Sequence, residues 1–361
     1  MRIAHVTDVY LPRLGGVELQ VHDLAARQSA QGHHPLILTT TAQSPAVLDD
    51  MPVLRVTGLG AGPYRRFGGR ALDTTLRAHG IEAVHAHVSA FSPLAWTAAR
   101  AAATNGLPTV VSVHSMWHDI LPLVRRFARW ADASAWPVQW AAVSSAAASA
   151  VRAALDGTPV AVLPNGIDPA AWLLPSSGAA DRPPTFISVM RMVRRKRPRA
   201  LLRTLLALRD AYPGRFRAVL VGDGPLLAGL RRDAPPEVTF TGAQDRTTIR
   251  ALLAAADVYI APAPRESFGI AALEARSAGL PVVARAGSGV ADFIRHGVEG
   301  WLVHSDAELL NVLSSVLDDP RRAAAMAEHN RAVAPCVRWD TVLDAADALY
   351  ARAFSGDRAH A

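Results

Sequence analysis

Two glutamates separated by seven residues carry the strongest chemical signal in the sequence. Glu266 follows a proline-rich segment at the end of an apolar run, and Glu274 lies in the helical pattern that comes next. Ser267 is a residue type that caps helices, so we expect a helix to start there and to point the backbone amides of residues 268–270 outward. Such carboxylates suit hydroxyl groups on two parts of an elongated ligand. The competing interpretation is two solvated surface residues.

A basic segment adds a second candidate. Lys196 is the only lysine among 38 basic residues, and Arg191 precedes it in the same loop. Both could neutralise a departing diphosphate, a task that a metal ion performs elsewhere. No Asp-x-Asp sequence occurs in the chain, so the usual carboxylate clamp for a nucleotide-bound metal has no candidate. The alternatives are a solvated face, or a nucleic-acid site, although the segment is short and lacks interleaved aromatic residues.

Glycine pairs mark two turns between strands and helices. Gly15-Gly16 opens the first helical pattern, where a helix N-terminus can bind a diphosphate; a simple tight turn is the alternative. Gly222-Asp-Gly224 follows another strand, but Leu227 stands where a dinucleotide fingerprint needs its third glycine. We expect these glycines to shape a turn, and a contact with the ligand is the less favoured option.

Three histidines end two predicted strands. His85 and His87 belong to one strand and His114 to the next. Such a pair could bind a metal ion or form hydrogen bonds, and no carboxylate or cysteine has suitable spacing to complete a metal site. A hydrogen-bonded histidine beside the ligand is therefore favoured, with His114 as the better functional candidate.

Length and composition bound the class of protein. The chain has 361 residues, of which 50% are hydrophobic and 19% charged, which indicates two globular domains and excludes a disordered or disulfide-rich chain. The single Cys336 cannot form an internal disulfide, and no secretory signal or membrane-spanning run is visible. These features predict a cytoplasmic protein. A net charge of +7 favours anionic partners.

Alternation of apolar runs with helical patterns predicts an α/β fold with two doubly wound parallel sheets. The expected domains are 1–172 and 185–338, joined by a linker at 173–184, and a helix near 339–355 either finishes the second domain or returns to the first. The predicted strands are Arg2–Asp8, Pro35–Thr41, Val53–Leu59, Ala83–Val88, Thr109–Ser115, Trp140–Ser145, Val160–Pro164, Thr185–Met190, Arg217–Val221, Val238–Thr241, Val258–Pro262, Pro281–Ala284 and Gly300–Val303.

Twelve short motifs follow one another in a fixed order along the chain. They are Gly15-Gly16-Val-Glu, Val84-His-Ala-His87, Val113-His114, Ala142-Val-Ser-Ser145, Pro164-Asn-Gly-Ile-Asp168, Arg191…Lys196, Val221-Gly-Asp-Gly-Pro225, Phe240-Thr-Gly242, Ala256-Asp257, Glu266-x7-Glu274, Ala278-Gly-Leu-Pro-Val-Val283 and Gly297-x-x-Gly300. This ordered set resembles the family-4 retaining glycosyltransferases of the GT-B fold, in which two Rossmann-like domains face each other. One departure is Arg197, where the family usually has glycine after the lysine.

The resemblance implies a role for each matching residue. Arg191 and Lys196 would bind the phosphates of a nucleotide sugar, Glu266 the sugar hydroxyls and Glu274 the ribose hydroxyls. His114 would contact the sugar near the reacting carbon, and Gly16 would lie beside the diphosphate. The implied catalytic residues are His114, Arg191, Lys196 and Glu266; the implied donor-binding residues are Gly16, Gly222, Ser267, Phe268, Gly269, Ile270, Ala271 and Glu274, with no metal ligand.

The implied activity is metal-independent transfer of a sugar, with retention, from a UDP-GlcNAc, UDP-glucose or GDP-mannose type of donor to a hydroxyl of a small molecule, glycolipid or glycan. No cofactor and no nucleic acid are expected. A nucleotide-sugar 2-epimerase and a non-catalytic sugar-nucleotide binder are the alternatives. The segment Leu121–Trp136 mixes apolar, aromatic and basic residues, so we weigh a peripheral contact with the inner membrane face against a helix that packs within its domain.

Overall fold

The computed structural model describes residues 1–13, 15–44, 50–56, 69–89, 91–173 and 182–356. Contacts between residues divide the chain into two compact units. The first unit is Met1–Gly166 together with Trp339–Ala361, and the second is Ile167–Arg338. The sequence-based boundary at 172 lies a few residues beyond this division. Most of the predicted linker, and the end of the strand predicted to reach Leu59, fall outside the described residues.

All strands of the described chain belong to two parallel sheets. The first sheet has the order β3-β2-β1-β4-β5-β6-β7, and the second has the order β10-β9-β8-β11-β12-β13. The strands are β1 (Arg2–Thr7), β2 (His34–Thr39), β3 (Val53–Arg55), β4 (Ala83–Val88), β5 (Thr109–Val113), β6 (Gln139–Ala142), β7 (Ala161–Val162), β8 (Thr185–Val189), β9 (Arg217–Val221), β10 (Val238–Gly242), β11 (Val258–Ala261), β12 (Val282–Arg285) and β13 (Gly300–Val303).

Helices connect successive strands and cover the sheets. The helices are α1 (Gly16–Ala30), α2 (Gly69–Ala78), α3 (Pro93–Thr104), α4 (Leu121–Trp130), α5 (Ser145–Ala154), α6 (Pro198–Ala211), α7 (Leu227–Arg232), α8 (Arg246–Ala254), α9 (Ile270–Ser277), α10 (Asp306–Asp318), α11 (Arg321–Ala332) and α12 (Trp339–Ser355). The predicted α/β class with two parallel sheets is confirmed.

The core of each unit lies between its sheet and these helices. Strands β4 and β5 are buried along their whole length, as parallel strands covered on both faces must be. In the first unit, α12 packs its apolar side against the sheet through Leu343 and Tyr350, among others. Leu72 and Leu94, from α2 and α3, contribute to a separate cluster.

Each sheet contains one position where the strand order reverses. In the first sheet this position lies between β1 and β4, and in the second between β8 and β11. Loops that leave the carboxyl ends of such neighbouring strands run in opposite directions and leave a crevice, which is where ligands bind in open α/β sheets. The fold therefore predicts that ligands bind beside the loops after Thr7, Val88, Val189 and Ala261.

One helix start differs from the sequence prediction. The helix expected to begin at Phe268 with Ser267 as its cap begins at Ile270, and Gly269 is the residue before it. Gly269 has φ +94°, and a Cβ atom there would lie 2.6 Å from Cγ2 of Val290. The chain thus makes a left-handed turn that favours glycine, and this turn places the helix start two residues later.

Candidate active site

The strand-order reversal of the second sheet brings together the two sequence-predicted groups of opposite charge. Lys196 ends a single 3-10 turn in the loop after β8, and Glu266 lies in the loop after β11. Nζ of Lys196 donates a hydrogen bond to Oε2 of Glu266. The side chains are 27% and 17% exposed, so the pair is partly shielded but reachable from solvent. Partial burial strengthens this ion pair compared with a surface pair.

Backbone contacts fix the loop that carries Glu266. The amide of Gly289 donates a hydrogen bond of 2.8 Å to the carbonyl oxygen of Glu266. After the turn at Gly269, the amides of Ala272 and Leu273 both donate to the carbonyl of Gly269 and begin the helical hydrogen-bond pattern. The first amides of α9 precede that pattern, as at every helix N-terminus, and can serve an anionic group.

Glu274 lies one turn into α9 and is partly buried. Tyr259 of β11 links it with Glu266, because both carboxylates act electrostatically on this buried phenol. Burial raises the pKa of Tyr259, and the two negative charges raise it further. Its hydroxyl donates a hydrogen bond of 3.1 Å to the carbonyl oxygen of Val189, at the end of β8. Tyr259 therefore ties the ends of β8 and β11 together beside both glutamates.

The glycines after β9 support the segment that carries Arg191. A Cβ on Gly222 would lie 2.0 Å from the carbonyl oxygen of Met190, and one on Gly224 would lie 2.7 Å from that of Met192. Both glycines have positive φ, +127° and +151°. Their absent side chains let the backbone on either side of the exposed Arg191 approach closely. In this structure Gly222 contacts that backbone.

Arg197 occupies a left-handed conformation with φ +59°, which is unusual for an arginine. Its guanidinium donates a hydrogen bond of 2.7 Å to Asp306, the first residue of α10, and the buried Arg285 pairs with the other oxygen of the same carboxylate. The ion pairs offset the cost of this backbone conformation, which is about 1 kcal/mol. This network holds the residue directly after Lys196.

In the first unit, the glycine pair lies at the start of α1 as predicted. Gly15 is the residue before the helix, and Gly16 is its exposed first residue. A Cβ on Gly15 would lie 2.4 Å from Oε2 of Glu18, whose side chain is buried against the turn. Nε of Arg13 lies 3.4 Å from Oε1 of Glu18. The turn is therefore shaped by a carboxylate of its own helix.

The predicted histidines take part in a buried hydrogen-bond network that includes a fourth, His5. Register between β1 and β4 pairs His5 with His85. Nδ1 of His5 is 3.0 Å from Nε2 of His87, and Nδ1 of His87 is 3.0 Å from Nε2 of His114. Burial lowers the pKa of His5 and of His114 to about 4, and it holds those of His85 and His87 well below the usual range. All four rings are uncharged at neutral pH.

The same histidines also form the group that comes nearest to a metal site among the described residues. One ring nitrogen each from His5, His85 and His87 lies within 4.8 Å of the others. However, every ring nitrogen of these three already has a hydrogen-bond partner. The rings of His85 and His87 also stack, with centroids 4.2 Å apart. Ligands of one ion point their ring planes at it, so the arrangement fits hydrogen bonding rather than metal binding.

The structure thus places the sequence-predicted residues in two groups. Gly16 and His114 belong to the first unit. Arg191, Lys196, Gly222, the segment 266–271 and Glu274 belong to the second. Sequence reasoning missed residues that no motif marks. His5, Gln28 and Tyr350 join the histidines of the first unit, and Tyr259 and Asp306 support the second. The one available signal is His5, a polar residue between the apolar Ala4 and Val6 of β1.

Two family models match this chain and together span both units. The model described as Glycosyltransferase Family 4 matches residues 14–171, and that described as Glycosyl transferases group 1 matches residues 173–333. The chain belongs to glycosyltransferase family 4. The family-4 enzyme is a glycosyltransferase that uses a nucleotide-sugar donor, and the resemblance seen in the sequence is confirmed at that level.

Curated relatives of the family-4 enzyme align with nearly its whole length. The GDP-mannose-dependent alpha-(1-6)-phosphatidylinositol dimannoside mannosyltransferase of Mycobacterium tuberculosis is 28% identical over 357 residues, covering 92% of each chain. The D-inositol 3-phosphate glycosyltransferase of Streptomyces scabiei is also 28% identical, covering 99% of this chain and 92% of the relative.

Solved structures identify the fold. HepE of Anabaena, crystallised with UDP and glucose, superimposes with a TM-score of 0.79 at 21% identity and covers 97% of this chain and 100% of its own. The predicted GT-B fold is thereby confirmed. Within the described part of the family-4 enzyme, no helix combines the length and apolar character needed to cross a membrane.

Proposed function

We propose that this family-4 enzyme is a retaining, metal-independent hexosyltransferase. It transfers a hexose from GDP-mannose or a UDP-sugar to a hydroxyl of an inositol- or sugar-containing acceptor. Both curated relatives described above carry inositol in the name of their acceptor, and one is named as GDP-mannose-dependent. The observation that carries the proposal is the Lys196–Glu266 pair at the strand-order reversal of the second sheet.

The charges around this pair suit a nucleoside diphosphate sugar. Lys196 and the exposed Arg191 supply positive charge for the two phosphates, and the amides at the start of α9 add hydrogen-bond donors. Glu266 would exchange its bond to Lys196 for bonds to sugar hydroxyls once the diphosphate engages the ammonium. Glu274 would accept hydrogen bonds from the ribose.

Stabilisation of the leaving diphosphate by these cations is the main chemical task. The bond between the anomeric carbon and the diphosphate oxygen breaks, and the acceptor oxygen forms its bond to the same face of that carbon. The proton of the acceptor hydroxyl passes to the departing phosphate oxygen. Retention is expected from the family resemblance, and no side chain is assigned as a covalent nucleophile.

A thermal-shift panel tests the donor part of the proposal. UDP, GDP, ADP, TDP and their sugar conjugates are added with and without EDTA. We expect one base family to raise the melting temperature, with no loss in EDTA. A shift that EDTA abolishes would overturn metal independence, and no shift with any nucleotide at millimolar concentration would overturn the site.

The product then tests the reaction itself. The selected donor is incubated with inositol, inositol phosphate or phosphatidylinositol mannosides, and NMR of the product gives the anomeric configuration. A product with the donor's configuration supports retention. An inverted product contradicts it. Free sugar or an epimerised nucleotide sugar, formed equally without acceptor, would favour the epimerase alternative.

We further propose peripheral membrane contact through α4. Leu123 and Trp130 are 72% and 78% exposed and lie two turns apart on this helix. Arg126, an exposed residue between them on the same helix, supplies a cation, whereas Arg125 and Arg129 both pair with Asp156, at 2.8 and 3.0 Å. An exposed apolar face beside cations suits an anionic lipid surface.

Vesicle flotation with phosphatidylinositol-rich liposomes tests this contact. The wild-type chain should float, and Leu123→Ser with Trp130→Ser should stay in the soluble fraction. Phe354→Ser is the matched control, because Phe354 is an exposed aromatic residue on α12, a different helix. Equal flotation of all three proteins, or none at all, would contradict a role for α4.

A further inference from the structure

The hydrogen bonds around the four histidines of the first unit form one continuous chain. From His114 it runs through His87 and His5 to the side chain of Gln28 on α1. From Gln28 it continues through the hydroxyl of Tyr350 on α12 to His85, and it ends at Oγ of Ser112. The residues come from β1, α1, β4, β5, the loop after β5 and α12, so no sequence motif contains them all.

The side-chain amide of Gln28 gives this chain a direction. Its oxygen lies 2.7 Å from Nε2 of His5, so that nitrogen carries the proton and donates. Neutral imidazole has one N–H, so Nδ1 of His5 is an acceptor and must receive its hydrogen bond from Nε2 of His87. The same reasoning makes Nδ1 of His87 an acceptor for Nε2–H of His114.

The other half of the chain follows from the amide nitrogen. Nε2 of Gln28 donates to the hydroxyl of Tyr350 at 3.1 Å, which leaves the phenolic proton for Nδ1 of His85, 2.8 Å away. His85 then donates from Nε2 to Ser112 at 2.7 Å. Each group between the two ends therefore accepts one hydrogen bond along the chain and donates one, His114 donates and Ser112 accepts, and all four rings carry the proton on Nε2.

We propose that Gln28 and Tyr350 are positioning residues that fix the tautomers of the buried histidines, with Gln28 holding His114 in the Nε2–H form so that its Nδ1 is a hydrogen-bond acceptor for a ligand hydroxyl. His114 is the partly exposed member of the histidine set, and with Ser112 it lines the same small cavity as Asn165 and Trp339. The wrong tautomer would present an N–H to the ligand instead, and a group in the wrong tautomer loses much of its function.

Selective ¹⁵N-histidine NMR tests the assignment without any substrate, because protonated and unprotonated ring nitrogens resonate far apart. The wild-type protein should show all four rings as Nε2–H. In Gln28→Met, His5 loses its acceptor, so His5, His87 and His114 should shift toward a mixture of tautomers. In Tyr350→Phe only His85 should change, and His114 should keep its Nε2–H form.

Gln20→Met is the matched control. Gln20 lies on the same helix and is also buried, but its amide bonds the backbone of Gly166 rather than a histidine. This variant should leave every ring unchanged. A His114 with its proton on Nδ1 in the wild type, unchanged rings in Gln28→Met, or equal changes in Gln20→Met would each overturn the proposal.

Two further measurements separate the remaining outcomes. After equilibration with zinc and dialysis, stoichiometric bound metal with loss of the Nε2–H signals would show that the histidines form a metal site and would overturn the proposed hydrogen-bond chain. The catalytic consequence rests on the proposed function. Gln28→Met should lower kcat roughly ten-fold, against less than about two-fold for Thr204→Val, which removes a buried hydroxyl that bonds the carbonyl oxygen of Ala200 on α6. Absence of transferase activity would contradict the proposed function and leave the NMR result standing.

Discussion

The polar sites of the two units differ in charge and in burial. In the first unit, four uncharged histidines, a glutamine, a tyrosine and a serine form a buried chain of neutral hydrogen bonds. In the second, partly exposed ion pairs join Lys196 with Glu266, and Arg197 and Arg285 with Asp306. The first site runs through β1 and β4, and the second lies after the carboxyl ends of β8 and β11, so each is at the strand-order reversal of its sheet. Six strands follow the same order in both sheets.

The difference teaches how one topology serves two tasks. Neutral hydrogen bonds in a dry core are directional and fix which atom donates and which accepts. Charges near the surface attract an anion and can exchange partners when it arrives. We therefore expect changes in the second unit to act directly on donor binding and catalysis, and changes in the first to act on stability and on the position of protons, with an effect on catalysis through His114.

Replacing Glu266 by glutamine should give the largest effect. The variant keeps the shape but removes the charge that pairs with Lys196, so we expect transferase activity to fall roughly 100- to 1000-fold. Folding should be retained, since the pair is partly exposed. Steady-state kinetics provide the measurement, and Glu328→Gln, at an exposed carboxylate on α11, is the control. Near-normal activity would remove Glu266 from the catalytic site.

Acid should destabilise the first unit through its histidines. Burial lowers the pKa of His5 to about 4, from 6.5 in the unfolded chain, so the folded state binds fewer protons between these values. Stability is full above pH 6.5 and falls as the pH drops toward 4, by on the order of 3 kcal/mol for His5 alone.

Urea unfolding at pH 7.5 and 4.5 measures this loss. The groups that face His5 are His87, His85 and Gln28. Both neighbouring histidines would also gain a proton as the pH falls, so they act on stability in the same direction as His5. In His5→Gln the free energy of unfolding should depend less on pH, whereas replacing the exposed His79 by glutamine should leave the pH dependence unchanged. A wild-type free energy of unfolding that stays constant across this range would contradict neutral burial.

Replacing Lys196 by alanine should weaken nucleotide binding more than it weakens the fold. We expect the dissociation constant of GDP or UDP to rise roughly 10- to 100-fold, because a charge-assisted contact to phosphate is lost. Isothermal titration measures this, with Arg195→Ala as the neighbouring exposed cation. Equal losses in both variants would indicate a general electrostatic effect instead of a specific site.

Replacing Arg197 by glycine should have the smallest effect. Glycine relieves the left-handed strain at φ +59° but gives up the bond to Asp306, and these terms are of similar size. The free energy of unfolding should change by less than about 1 kcal/mol. A loss well above that value in urea unfolding would show that Asp306 anchors the Lys196 loop more strongly than we infer.

The fold could be predicted largely from local pattern. The strands Ala83–Val88, Arg217–Val221 and Gly300–Val303 have the bounds that the sequence predicts, because runs of apolar residues in a parallel sheet must be buried on both faces. The predicted start of α9 was wrong by two residues. The Ser267 cap is a local preference, and the turn at Gly269 beside Val290 overrides it.

The sequence by itself determined the two parallel sheets, the family and the residue types that can bind an anionic sugar donor, because these follow from periodicity and from short motifs. Only the tertiary structure decided that Lys196 meets Glu266, and that His5 and Tyr350, 345 positions apart, complete one hydrogen-bond chain. Strand order and helix packing set those contacts. Side chains distant in sequence become neighbours only when parallel strands align and α12 packs on their sheet.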